Sequence, residues 1–327
     1  MKRREFIAFV GGAAAAWPFS ARAQQPARIR RIGYLTLSAG RSARQDGAFQ
    51  QGLQDLGYKL GQNVAIDYRW AAGRLERLSF LAEELVQLKP DVIVVVGTPV
   101  VQAVKNATST IPIVIAHSAD PVATGFVASL ARPGGNITGL SVVATELAPK
   151  RMELLRELLP GIARVAFLAH GADPAARLFI KETQLATDKF GLRLQSVVVR
   201  GPEDFAGAFA EMVRERADVL IVQPIFLQVS EHTQQIVDLA VRNRLPSVSD
   251  GEEYVVKGGL MSYGASRPAL CRQAATFVDK ILKGANPGNL PIEQPTRFEL
   301  GINLKTAKAL GLTIPQSILL RADEVIE

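Results

Sequence analysis

The stretch Val92-Ile93-Val94-Val95-Val96-Gly97-Thr98-Pro99 decides the fold. Five consecutive β-branched residues leave no polar face, so the segment reads as a strand buried on both sides, the habit of parallel sheets. Gly97-Thr98-Pro99 then turns the chain into a helix over Val100 to Ala107. Thr98 suits the N-cap and Pro99 the first helical position. A further apolar run, Ile111 to Ala116, is the next strand. Outward toward the N-terminus, Ile32 to Leu37 and Val64 to Tyr68 read as strands. Ala43 to Leu56, stopped by Gly57, and Leu75 to Leu88 read as helices. Strands alternating with helices in this way predict a doubly wound parallel sheet with right-handed crossovers.

The alternation then restarts. Helices over 150–159, 174–190, 202–214 and 231–242 alternate with strands over 165–169, 194–199, 219–223, 246–249 and 259–263, and a last helix over 268–283, a strand over 298–302 and a short helix over 304–310 follow. The expected class is therefore α/β, with two doubly wound parallel-sheet lobes joined by three crossovers. One lobe is expected over 29–140 plus 264–293, the other over 141–263 plus 294–327. The crossovers are expected near Thr138–Ala144, Gly258–Tyr263 and Gln294–Phe298. Two such lobes enclose a cleft, and ligands bind at the carboxyl ends of the strands.

The first 23 residues follow the plan of an export signal. Lys2-Arg3-Arg4 is a basic start, Phe6 to Ala16 an uncharged apolar run, and Ala21-Arg22-Ala23 a small-x-small cleavage pattern. The run is too short for the roughly 20 residues that span a bilayer. Arg3-Arg4-Glu5-Phe6-Ile7 is similar to a twin-arginine signal, although Lys2 stands where Ser or Thr is usual. No cysteine follows the run to carry a lipid anchor. The expectation is a soluble, exported, periplasmic protein beginning at Gln24 or a neighbour. The full chain of 327 residues carries 38 Lys+Arg against 31 Asp+Glu, a net +7. Loss of the first 23 residues leaves a mild imbalance, which argues against a nucleic-acid partner. The single cysteine, Cys271, excludes an intramolecular disulfide and a cysteine zinc cluster.

Several phrases carry a family resemblance. They include Arg31-Ile32-Gly33-Tyr34-Leu35, Gly97-Thr98-Pro99, Asp120-Pro121-Val122, Arg132-Pro133-Gly134-Gly135-Asn136-Ile137-Thr138-Gly139, Gly258-Gly259-Leu260-Met261-Ser262-Tyr263-Gly264 and Asn303-Leu304-Lys305-Thr306-Ala307. With the export signal and the two lobes, the chain resembles the ABC-transporter substrate-binding proteins of the type I periplasmic-binding fold. Within them it is similar to the subgroup of tryptophan- and tyrosine-type uptake binding proteins. The resemblance implies capture of a small solute by hinge closure, no cofactor, a membrane permease as partner, and a monomer. A ligand-sensing module for a membrane receptor would share the same features.

The strand-end loops supply the candidate ligand contacts. In the first lobe they are Ser38, Thr98, His117 and Asp120; in the second, Gln223, Phe226 and Asp250, with Tyr263 on the return crossover. Thr98 serves as a cap, a ligand contact or both, because a helix N-terminus suits a carboxylate. Asp120 and Asp250 either pair with a ligand ammonium or cap turns. Phe226 and Tyr263 either lie against a planar ligand or pack the lobes. The expected ligand is a small carboxylate-bearing solute, an amino acid or aromatic acid. The sequence contains no G-x-S-x-G, no H-E-x-x-H and no G-x-x-x-x-G-K-[ST], so enzyme chemistry is not expected.

Overall fold

The computed structural model describes residues 29–142 and 147–327. The expected export segment lies outside the described residues, as do positions 143–146 of the first crossover. Among the described residues no helix is long and apolar enough to cross a membrane.

The first sheet holds β1 (Arg30–Thr36), β2 (Val64–Trp70), β3 (Val92–Val96), β4 (Ile113–His117) and β5 (Ile137–Gly139). They are all parallel, in the order β2-β1-β3-β4-β5. Helices α1 (Gln45–Asp55), α2 (Leu78–Gln87) and α3 (Thr98–Ala107) connect them. The β-branched run of β3 is split between two cores by the period-two alternation of a strand. Val92, Val94 and Val96 join Tyr34, Phe49 and Leu53 on one face. Ile93 and Val95 join Leu81, Leu85 and Val104 on the other.

The second sheet holds β6 (Arg164–His170), β7 (Arg193–Val199), β8 (Val219–Val222), β9 (Ser247–Ser249), β10 (Met261–Gly264), β11 (Glu299–Asn303) and β12 (Glu324–Ile326), in the order β12-β11-β10-β9-β8-β6-β7. Its helices are α4 (Leu147–Leu158), α5 (Ala176–Lys189), α6 (Phe205–Arg214), α7 (Ser230–Arg242) and the short α8 (Glu252–Val256). This sheet is not wholly parallel, because β11 runs antiparallel to β10. A parallel neighbour requires a crossover within its own sheet. Between β10 and β11 the chain instead visits the first lobe, and it re-enters from the other end. The elements that the sequence reading omits, β5, β12, α8 and α11 (Gln316–Leu319), are three to five residues long. Such lengths are too short for a period to register.

The visit to the first lobe is made by α9 (Arg267–Leu282), before α10 (Leu304–Ala309). Helix α9 lies on the face of the first sheet beside α1, with Ala274, Phe277 and Val278 in that core. The two helices approach closely at Gly52, where a Cβ would sit 2.9 Å from that of Ala275. The passage into α9 is at Ala265–Ser266 rather than over Gly258–Tyr263, because Met261 to Gly264 pair as β10. The first and third crossovers run side by side. Glu293 N–H donates to Gly139 O at 3.0 Å, and Ser141 N–H donates to Glu293 O at 3.0 Å. One apolar cluster is continuous from Leu35 and Val95 in the first lobe to Leu168, Val222 and Phe226 in the second.

Candidate functional site

The carboxyl ends of both sheets face each other, and the loops leaving them meet. Thr36 to Asp46 follows β1, and Gly97-Thr98 follows β3. Leu227 to Glu231 leads into α7 of the opposite lobe. Between them is a cavity of about 300 Å³, lined from the first lobe by Ser38, Arg41, Ser42, Gln45 and Asp46 and from the second by Gln228, Glu231, Glu253 and Lys257. A smaller cavity of about 30 Å³ continues behind Gln228, which lines both, toward Thr98, His117 and Asp250. The lobes touch around these cavities: Arg44 forms an ion pair with Glu252 across the cleft. Gly73 lies against Val229 and His232, and Gly97 against the Gln228 carboxamide.

The expected contacts divide into those the structure places at the cavities and those it does not. Ser38 lines the larger cavity, with its hydroxyl donating to Gly40 O at 2.9 Å. Thr98 and His117 line the smaller one. Thr98 is not the cap of its helix, because Gly97 at φ 98° occupies that position. Its buried Oγ1 instead accepts the Ala119 N–H at 3.1 Å and the Ser118 hydroxyl at 3.2 Å, tying β3 to the loop after β4. The buried His117 Nε2 lies 3.3 Å from Gln45 Oε1, within hydrogen-bonding reach.

Asp250 also lines the smaller cavity, but its carboxylate is already paired. Arg267, 4% exposed at the start of α9, donates from Nη2 to Asp250 Oδ1 at 2.6 Å and from Nη1 to Glu253 Oε1 at 2.7 Å. Asp120 faces neither cavity; its Oδ1 accepts the Val122 and Ala123 N–H groups at 2.9 and 3.0 Å, a turn cap. Gln223 is fully buried, accepting His170 N–H at 2.7 Å and donating to Asp173 Oδ2 at 2.8 Å, and it lines neither cavity. Phe226 is core: it meets Phe205 edge-on at 5.5 Å and His170 at 5.7 Å. Tyr263 packs on Phe298 at 6.3 Å, and its carbonyl accepts the Arg151 Nε–H.

The comparisons with known proteins decide the family. Residues 38–326 match the sequence profile described as ABC transporter substrate binding protein. This chain belongs to that family. It is a substrate-binding protein of the type I periplasmic-binding fold. It is 29% identical over 265 residues to a tyrosine-binding protein of Clostridioides difficile, covering 81% of this chain and 75% of the relative. Among solved structures it is similar to a conserved domain protein of Vibrio cholerae (28% identity, TM-score 0.84). It is also similar to an ABC domain in complex with L-Trp from Streptococcus pneumonia (27% identity, TM-score 0.83). Each alignment covers 91% of this chain and all of the other.

In this substrate-binding protein the sequence reading missed the residues at the start of α1. Ser42 Oγ accepts the Gln45 N–H at 3.1 Å, and Asp46 Oδ2 accepts the Ser42 N–H at 2.9 Å. The signal was present as a Ser with an Asp four positions on, one residue longer than a capping box, the carboxylate reaching back to the Ser N–H. The Gln228 carboxamide was also missed. Its Oε1 is buried and has no hydrogen-bond partner among the described residues.

Burial also sets the response to acid. Desolvation, with Arg267 nearby, lowers the His117 pKa to about 3 from an ordinary 6.5. The unfolded chain takes up this proton first. The stability due to neutral His117 is therefore complete above pH 6.5 and is lost as pH falls from there toward 3, by at most about 1.4 kcal/mol per pH unit. Asp173 opposes this: burial raises its pKa to about 6, so its cost to stability above pH 6 disappears on acidification. Urea titrations between pH 7 and 4 are expected to show a smaller loss of stability for His117→Gln than for wild type. Parallel curves for the two would contradict the assignment.

Proposed function

We propose that this substrate-binding protein captures a small carboxylate-bearing solute, an amino acid or aromatic acid, in the cleft between its lobes and delivers it to an ABC permease. The observation that supports this most is the larger cavity. It is built from both lobes, has a volume suited to a solute of amino-acid size, and carries side chains of both charges. Arg41 and Lys257 are the cations there without an ion-pair partner among the described residues, and they suit the solute's carboxylate. Thr98, the anchor the sequence suggested, accepts from Ala119 and Ser118 and lines the smaller cavity rather than the larger one. The tyrosine-binding and L-Trp-bound relatives support the solute class.

The lobes divide at 29–140 and 141–263 and again at 264–293 and 294–327, save that Gly264 stays with the second lobe and the change falls at Ala265–Ser266, and they rotate about the paired crossovers at Leu140 and Glu293. The protein acts as a periplasmic monomer after cleavage near Ala23, which the mass of the mature chain reads directly. It performs no catalysis.

Thermal-shift and calorimetric titration with L-tyrosine, L-tryptophan and aromatic acids tests the reading. A solute that binds only the folded state stabilises it by about 2.7 kcal/mol at a hundredfold excess over Kd. A rise in melting temperature with one of these compounds is expected. A response only to a neutral sugar or a metal chelate would overturn the solute class.

A further inference from the structure

We infer that Asp46 is the receptor for a protonated amine, so the cleft selects amine-bearing zwitterions over simple carboxylates. The inference rests on the larger cavity being the binding site. Four carboxylates line that cavity, and three are accounted for without a ligand. Glu252 is paired with Arg44, Glu253 is paired with Arg267, and Glu231 is exposed to solvent. Asp46 differs from all three. It is 2% exposed and forms no ion pair with any described residue. Its one hydrogen bond of ordinary geometry is that of Oδ2 to the Ser42 N–H.

A buried carboxylate without a counter-charge is costly to keep ionised. Accordingly, desolvation raises the Asp46 pKa above the usual carboxylate value. The surroundings nevertheless favour the anion. The Tyr34 hydroxyl and the Trp70 indole N–H lie close to this carboxylate, and neither makes a hydrogen bond of ordinary geometry with any described residue. Neither group brings a positive charge, and the Arg41 guanidinium acts on the carboxylate from a distance without forming an ion pair with it. An ammonium entering the cavity would supply that pair, in a setting where water no longer competes. A hydrogen bond between charged groups is stronger in such a setting than at the surface. The Gln228 Oε1, buried and unpartnered on the opposite wall, offers a second acceptor for the same N–H groups.

Asp46 also fixes the local backbone through Ser42, so the test must separate charge from architecture. Asp46→Asn does so, because the carboxamide oxygen still accepts the Ser42 N–H while the charge is lost. The probes are L-tryptophan and indole-3-propionate, which differ in the amine, and L-tyrosine with 3-(4-hydroxyphenyl)propionate. Wild type is expected to prefer the amino acid of one pair by at least tenfold. Asp46→Asn is expected to reduce that preference to about threefold or less, with the melting temperature of the ligand-free protein held within a few degrees. A preference retained in Asp46→Asn overturns the inference, as does equal wild-type affinity for both members of the pair, or wild-type binding of none of the four probes. Gln228→Trp, which fills the cavity from the other wall, distinguishes failure of the site itself. If Gln228→Trp binds like wild type, the solute lies elsewhere. If it abolishes binding while Asp46→Asn keeps the preference, the cavity is right and the amine receptor is wrong.

Discussion

Arg267→Ala is expected to destabilise the protein by about 3–5 kcal/mol, the cost of removing one partner from a buried charge cluster. The guanidinium holds Asp250 and Glu253 together at 2.6 and 2.7 Å. It begins α9, a helix of the first lobe, while both acids belong to the second. Truncation leaves Asp250, 8% exposed, as a buried anion without an ion-pair partner among the described residues, with only the more distant Arg151 to offset its charge. Urea denaturation at pH 7 measures the loss directly. Arg267→Met with Asp250→Asn and Glu253→Gln is expected to recover much of it, since uncharged neighbours need no counter-ion. A loss below about 1 kcal/mol for Arg267→Ala would show that the cluster is far more hydrated than its burial implies.

Gly97→Ala is expected to weaken solute binding about tenfold to a hundredfold, or roughly 1.4–2.7 kcal/mol. Gly97 sits at φ 98°, a region that residues with a Cβ seldom adopt. A Cβ there would also push the Gln228 carboxamide of the opposite lobe out of the position it holds beside the cavity. The backbone strain acts whether the lobes are together or apart, whereas the displacement acts only when they meet. The two effects separate in a double-mutant cycle. The combination with Gln228→Ala should bind no more weakly than Gln228→Ala alone. Calorimetry with the amino acid that binds wild type reads this, and simple additivity of the two losses would refute the steric explanation.

The strands and long helices were legible in the sequence because their periods extend over many residues. The run Val92 to Val96 and the helix after Pro99 fall where the pattern placed them. The cleft was legible as a place, since strand-end loops converge in any doubly wound sheet. Which side chains enter it was not. Gln223 and Gln228 are five residues apart on one segment, yet one is consumed by His170 and Asp173 and the other faces the cavity. Composition cannot distinguish them, because the difference depends on which partners the fold brings within reach. Phe226 likewise reads as a stacking ring until Phe205 and His170 are seen around it. Asp46 carries the opposite lesson: its place four residues after Ser42 is visible, but that no described residue forms an ion pair with it is a property of three dimensions only.

The way α9 returns to the first sheet has a consequence for biosynthesis. All five strands of that sheet have been made once Gly139 leaves the ribosome. The face bearing Tyr34, Val94 and Val114 is completed by Ala274, Phe277 and Val278, more than 130 residues later. The second sheet in turn waits for β11 and β12 at the end of the chain. The second half therefore cannot reach its final form until translation ends, and an apolar face of the first sheet stays open while more than 130 further residues are made. Nascent chains with such surfaces are the ones that holding chaperones retain and that aggregate when released early.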